Sequence, residues 1–118
     1  MDATRTGLDT TPERAIAGLE NSLDITEADI ALALGISVRS LRRWGSGESH
    51  PQRESRTRLA RLVALAGHLE EAFGEDADEW LGADSRYLGG LKPIEALRAG
   101  RMDRVEDALE ALDSGILL

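Results

Sequence analysis

Apolar residues return every three or four positions along nearly the whole chain, the period of an amphipathic helix and not of a strand. In the segment that begins Thr10-Thr11-Pro12-Glu13, the stripe is Ile16, Leu19 and Leu23. Its start is marked chemically. Thr10 or Thr11 can cap, Pro12 suits the first turn where its missing N–H costs nothing, and Glu13 stands three after Thr10 as in a capping box. The next stretch, ITEADIALALGIS, predicts a helix capped by Thr26, with Ile30 and Leu34 on one face and Gly35 as a stop that tolerates positive φ. Ser37 then caps VRSLRRW, in which Val38, Leu41 and Trp44 face inward and Arg39, Ser40, Arg42 and Arg43 face out. Two short helices separated by a tight glycine turn make a helix-turn-helix.

Glycines and a proline turn GSGESHP into a loop. The longest helix follows, over 52–73, with Leu59, Leu62, Val63, Ala66, Leu69, Ala72 and Phe73 recurring at three and four, and it reads as the spine joining two halves. GEDADEWL predicts a short helix anchored by Trp80 and Leu81, and GADSRYLGG an irregular link. Pro93 opens and Gly100 closes PIEALRAG. A last helix over 102–113 buries Met102, Val105, Leu109 and Leu112 and stops at Gly115, leaving Ile116, Leu117 and Leu118 beyond it. Residues 1–9 are polar and aperiodic, a disordered tail. The expected organisation is therefore 1–9 as tail, 10–73 as a helix-turn-helix unit with its long connecting helix, and 74–118 as a small second helical unit.

Composition supports an all-α fold. Eighteen Leu and sixteen Ala stand against three Val and four aromatic residues, which favours helix packing over pleated sheet. With no cysteine there is no disulfide, thiolate nucleophile or cysteine zinc site. No segment has the character of a signal peptide or the roughly 20 apolar residues that span a bilayer, so a soluble protein of the reducing cytoplasm, away from any membrane, is expected.

Charge sharpens the picture. The chain is -8 overall, yet residues 37–61 carry seven arginines and two glutamates, between flanks of -5 and -8. In a helix-turn-helix the second helix enters the major groove, where an arginine fork matches guanine O6 and N7. Ser37, Arg39, Ser40, Arg42 and Arg43 occupy that position, and Arg53, Arg56 and Arg58 at the start of the next helix are suited to phosphate. The plainer alternative is that these arginines solvate a surface or pair with acids elsewhere in the chain. Enzyme chemistry has no foothold. His50 and His68 have no companion at metal-ligand spacing, GEDADE lacks the regular oxygen ligands of a calcium loop, and YLGGLKP has no Gly-Lys-Ser/Thr arrangement. No catalytic residue, metal or cofactor is expected.

The ordered set RSLRRWGSGESHPQR, then EWL with Trp80 and Leu81, GLKPIEALRAG and VEDALEALDSGILL, resembles the Xre/MbcA/ParS antitoxins that pair with RES-domain toxins. The resemblance covers nearly the whole chain. It implies an Xre-like helix-turn-helix module, a C-terminal toxin-binding module, and neutralisation of a toxin that consumes NAD. It also implies that the C-terminal end, here Ser114, Gly115, Ile116, Leu117 and Leu118, reaches the toxin's nucleotide pocket, with Trp80 in the same toxin-binding half. The expected partners are a cognate RES-domain toxin, in an oligomeric complex, and operator DNA. The competing reading is a free-standing transcriptional regulator that uses the same helices and dimerises through its C-terminal half.

Overall fold

A computed structural model describes residues 11–115, and its first three helices start at side-chain caps written into the sequence. Helix α1, Pro12–Leu23, starts where the Thr11 hydroxyl accepts the Arg14 N–H at 3.3 Å, and it buries Ala15, Ile16, Leu19 and Leu23. Helix α2, Glu27–Leu34, begins with a full capping box: the Thr26 hydroxyl accepts the Asp29 N–H and the Asp29 carboxylate accepts the Thr26 N–H, each at 3.1 Å. Gly35, at φ 73°, ends it and sends its N–H back to the carbonyls of Ala31 and Leu32. Helix α3, Val38–Gly45, is capped by Ser37, whose hydroxyl accepts the Ser40 N–H at 3.0 Å; Leu41 and Trp44 are buried beneath it and Val38 is half-buried.

Helix α4, Arg53–Phe73, is the spine. A 3-10 turn, Gly74–Asp76, leads into α5, Ala77–Leu81, and a chain of turns then reaches α6, Pro93–Arg98, and α7, Met102–Asp113. Helix α1 packs on α3 and α4, α2 on α3 and α6, and α6 on α7, while α4 reaches α5 and α7. One apolar cluster runs through all seven helices, from Ala15 and Leu19 through Ile30, Leu41, Leu62 and Leu69 to Leu97, Val105 and Leu109. The helix-turn-helix pair and the C-terminal helices therefore share a core.

Two burial expectations change. Ala72 is exposed and Leu65 takes its place in the α4 core stripe; Leu112 is half-buried, and the inner face of α7 is Met102, Val105, Ala108, Leu109 and Ala111. In both helices the miss falls in the last turn, at Ala72 and Leu112, and the buried face is wider than one stripe because α4 packs on α1, α2, α5 and α7 and α7 on α4 and α6. Leu88, in the stretch read as an irregular link, is also buried and pins that segment to the core. The expected tail and Thr10 lie outside the described residues.

Candidate functional site

The seven arginines of the basic block do not form one surface. Three are turned toward other elements. Arg42 of α3 grips Glu27 of α2, its Nε at 3.2 and 3.3 Å from the two carboxylate oxygens and its Nη2 at 3.1 Å from one of them. This hydrogen bonding, with the attendant charge, holds the guanidinium pKa above its ordinary value. Arg61 of α4 forks onto Glu106 of α7 at 3.0 and 2.6 Å. Arg58 overturns an expectation. Instead of facing phosphate, its Nη2 donates to the Ala33 carbonyl at 2.7 Å, and its Nε is buried without a hydrogen-bond partner among the described residues. The cause is position: one turn into α4, Arg58 lies against the C-terminal end of α2, whose last carbonyls need donors.

Arg39, Arg43, Arg53 and Arg56 are exposed, and among the described residues their side chains make no hydrogen bond or ion pair. Arg39, Arg42 and Arg43 line a shallow groove of about 530 Å³ with Val38, Ser46 and Glu48. Arg53 does not line it. Ser37 and Ser40 are occupied with each other: Ser37 Oγ accepts the Ser40 N–H and lies 3.1 Å from Ser40 Oγ. Sequence reasoning missed Glu48, an acid on the rim of the basic groove; the only available signal was its place in the loop just after the helix.

The C-terminal half is built around α7. The Ser114 N–H and hydroxyl both donate to the Glu110 carbonyl, at 3.0 and 2.6 Å, and Gly115 at φ 76° closes the helix by donating to the Leu112 carbonyl. Acids on this helix divide into two kinds. Glu106 holds Arg61, Asp113 lies 3.1 Å from His68 Nε2, and Asp103 holds Arg101, whose hydrogen bonds lower the Asp103 pKa to about 2. Asp107 and Glu110, by contrast, border a groove of about 200 Å³ with Tyr87, Ala111 and Ser114. Trp80 does not line this groove. Its ring is half-buried and stacks on Phe73, with centroids 5.3 Å apart and planes at 20°. Tyr87, exposed in the glycine-rich link, was not singled out from sequence. The expected tail residues Ile116, Leu117 and Leu118 lie outside the described residues.

The two halves meet at a pair that sequence reasoning did not find. Asp29, 8% exposed, accepts from Arg98 Nε of α6 at 2.7 Å while it serves the α2 capping box. Burial pushes its pKa up, but the Arg98 and Thr26 hydrogen bonds outweigh burial and the net shift is downward. The T-x-x-D spacing carried half of this signal; Arg98, 69 positions away, carried none.

No group of three or more metal-ligating side chains occurs among the described residues, and none of their helices is long and apolar enough to cross a membrane. Residues 68–115 match a family model described as the C-terminal toxin-binding domain of Xre/MbcA/ParS antitoxins. The mycobacterial cidal antitoxin MbcA of Mycobacterium tuberculosis is 30% identical over 104 residues, 87% of this chain and 92% of the relative. The chain belongs to the Xre/MbcA/ParS antitoxin family. A probable mycobacterial cidal antitoxin from the same organism is 32% identical over 92 residues, 77% of this chain and 78% of its own length. One chain in the crystal structure of the M. tuberculosis MbcT–MbcA toxin–antitoxin complex superposes with a TM-score of 0.66 at 29% identity, covering 90% of this chain and 96% of that one. The fold is thus that of an Xre/MbcA/ParS antitoxin over nearly its full length, and Trp80, Tyr87, Glu110 and Ser114 all lie within the matched toxin-binding domain.

Proposed function

We propose that this chain is a cytoplasmic antitoxin that binds a RES-domain, NAD-consuming toxin directly and blocks it without catalysing any reaction itself. The C-terminal segment Ser114-Gly115-Ile116-Leu117-Leu118 is the inhibitory element, placed over the toxin's nucleotide pocket, and Trp80 belongs to the surrounding contact surface. The observation that supports this reading is that the match to the toxin-binding family reaches Gly115, where α7 is terminated and the apolar residues follow in the sequence. Three apolar side chains after a helix stop suit burial against a partner, worth roughly 1.5–3 kcal/mol each before ordering costs. The related MbcA, moreover, was crystallised with its toxin MbcT. The test is to look for a RES-type protein encoded in a neighbouring gene and to co-express the two, reading growth and cellular NAD. Restored growth with preserved NAD is expected; unrelieved NAD loss contradicts the reading.

The exposed Arg39 and Arg43 beside the 530 Å³ groove favour a second role, autoregulation of the operon, with Arg53 and Arg56 on phosphate. Arg42, held by Glu27, is the least available of the expected readers. In an oligomeric complex with toxin, two copies would span two half-sites and strengthen binding. Phosphate contacts by the four outward arginines would give a slope of log K against log salt of about -3.6 per copy, at about 0.9 per phosphate neutralised. Operator binding without any toxin partner would instead mark a free-standing regulator.

A further inference from the structure

The end of α2 is incomplete without Arg58. An α-helix leaves its last four carbonyls without intrahelical partners, here those of Ala31, Leu32, Ala33 and Leu34. The Gly35 turn supplies two of these: Gly35 N–H reaches Ala31 and Leu32, and Ile36 N–H also returns to Ala31 at 3.0 Å. Ala33 is itself buried, so its carbonyl has poor access to water, and the donor it receives comes from α4, 25 residues later in the chain. That donor is cationic and sits at a helix C-terminus, where the macrodipole favours positive charge. Three residues beyond Leu34, Ser37 starts α3.

We propose that Arg58 is a positioning residue for α3: it locks the C-terminal end of α2, and hence the Gly35–Ser37 turn that aims Arg39 and Arg43, and it makes no contact with nucleic acid. Three further observations fit. The Arg58 Nε is buried with no partner among the described residues, a cost that an arginine free to reach solvent would not bear. Its neighbours in the block, Arg53 and Arg56, are exposed, so the inward turn of Arg58 is specific to its place on the helix. At the other end of α2, Glu27 holds Arg42 of α3, so α2 is held at both ends by arginines of one basic block, to α4 through Arg58 and to α3 through Arg42. This assignment rests on the DNA-reading role proposed for α3.

The test compares Arg58→Met, Arg58→Lys and Arg53→Gln in the full chain, alone and with its toxin. The readouts are operator affinity at fixed salt, its salt slope, thermal midpoint, and hydrogen exchange at Gly35 and Ile36. Arg58→Met should weaken specific binding on the order of ten-fold, as for a displaced base-reading fork, with the salt slope unchanged and faster exchange at the turn. Arg58→Lys should recover part of the affinity and protection. Arg53→Gln should instead lower the slope by about 0.9. A drop of that size in Arg58→Lys or Arg58→Met would make Arg58 a phosphate ligand and overturn the proposal, as would unchanged affinity with unchanged exchange. If Arg58→Met does not fold, Arg58→Lys decides by the same criteria. Failure of the wild-type chain to bind operator in either state overturns the DNA reading, and this role with it; exchange at the turn would then report only on the Arg58–Ala33 contact.

Discussion

Asp29→Asn isolates the most buried of the charges that join the two halves of the molecule among the described residues. The substitution keeps the side-chain shape and an oxygen for the Thr26 N–H, but converts the 2.7 Å contact with Arg98 from charge-assisted to neutral. Hydrogen bonds to charged groups contribute about 1.5–3 kcal/mol when enclosed. Arg98 is 49% exposed on its side chain and Asp29 11%, so water replaces part of what is lost, and the expected cost falls to about 1–2 kcal/mol. For a chain of this length that corresponds to roughly 4–8 °C in thermal midpoint. The pH dependence has a definite sign. Because the folded Asp29 pKa is depressed, its stabilisation is fully present above the ordinary carboxylate value near 3.8 and is lost as pH falls through the lower folded value. The stability difference between wild type and variant should be constant near neutrality and shrink only in that acid window. Chemical denaturation at several pH values, with a double-mutant cycle against Arg98→Met, measures both. A variant within about 0.3 kcal/mol of wild type with no coupling to Arg98 would refute the reasoning.

Leu62, with no exposed surface in the core of α4, should lose about 2–5 kcal/mol on Leu62→Ala, read by denaturant midpoint; an unmoved midpoint would misplace that helix face. Gly35→Ala meets no neighbouring atom, so its cost is purely that of φ 73°, about 1–2 kcal/mol, and should appear as lower stability without a change in denaturant slope. Glu106→Gln breaks an exposed pair with Arg61 and should cost under about 1 kcal/mol, less at high salt.

What could be read from the sequence was local. The caps Thr26 and Ser37 and the stops Gly35, Gly100 and Gly115 act within four residues, so local side-chain and backbone chemistry placed those helix ends, while the first cap was left between Thr10 and Thr11. The stripe of large residues on α1 was equally legible, since Ile16, Leu19 and Leu23 have one face to bury. On α4, periodicity could not say how far its neighbours wrap, and Leu65 was exchanged for Ala72. The basic block was legible as charge but not as surface. Whether an arginine faces solvent depended on Glu27, Ala33 and Glu106, at separations of 15, 25 and 45 residues. The plainer reading of that block holds for Arg42, Arg58 and Arg61, which tie helices together, whereas Arg39 and Arg43 are outward and available for the DNA role proposed above.

The most direct measurement of the central claim is to truncate the chain after Gly115 and assay the purified variant against its toxin at one-to-one stoichiometry, following complex formation and NAD consumption in parallel. The expected result is a folded chain whose thermal midpoint matches that of the full chain, because α7 already ends at its glycine stop. It should still bind the toxin through the 68–115 domain, yet fail to protect NAD. A truncated chain that binds and still suppresses NAD loss as the full chain does would show that Ile116, Leu117 and Leu118 are not the inhibitory element.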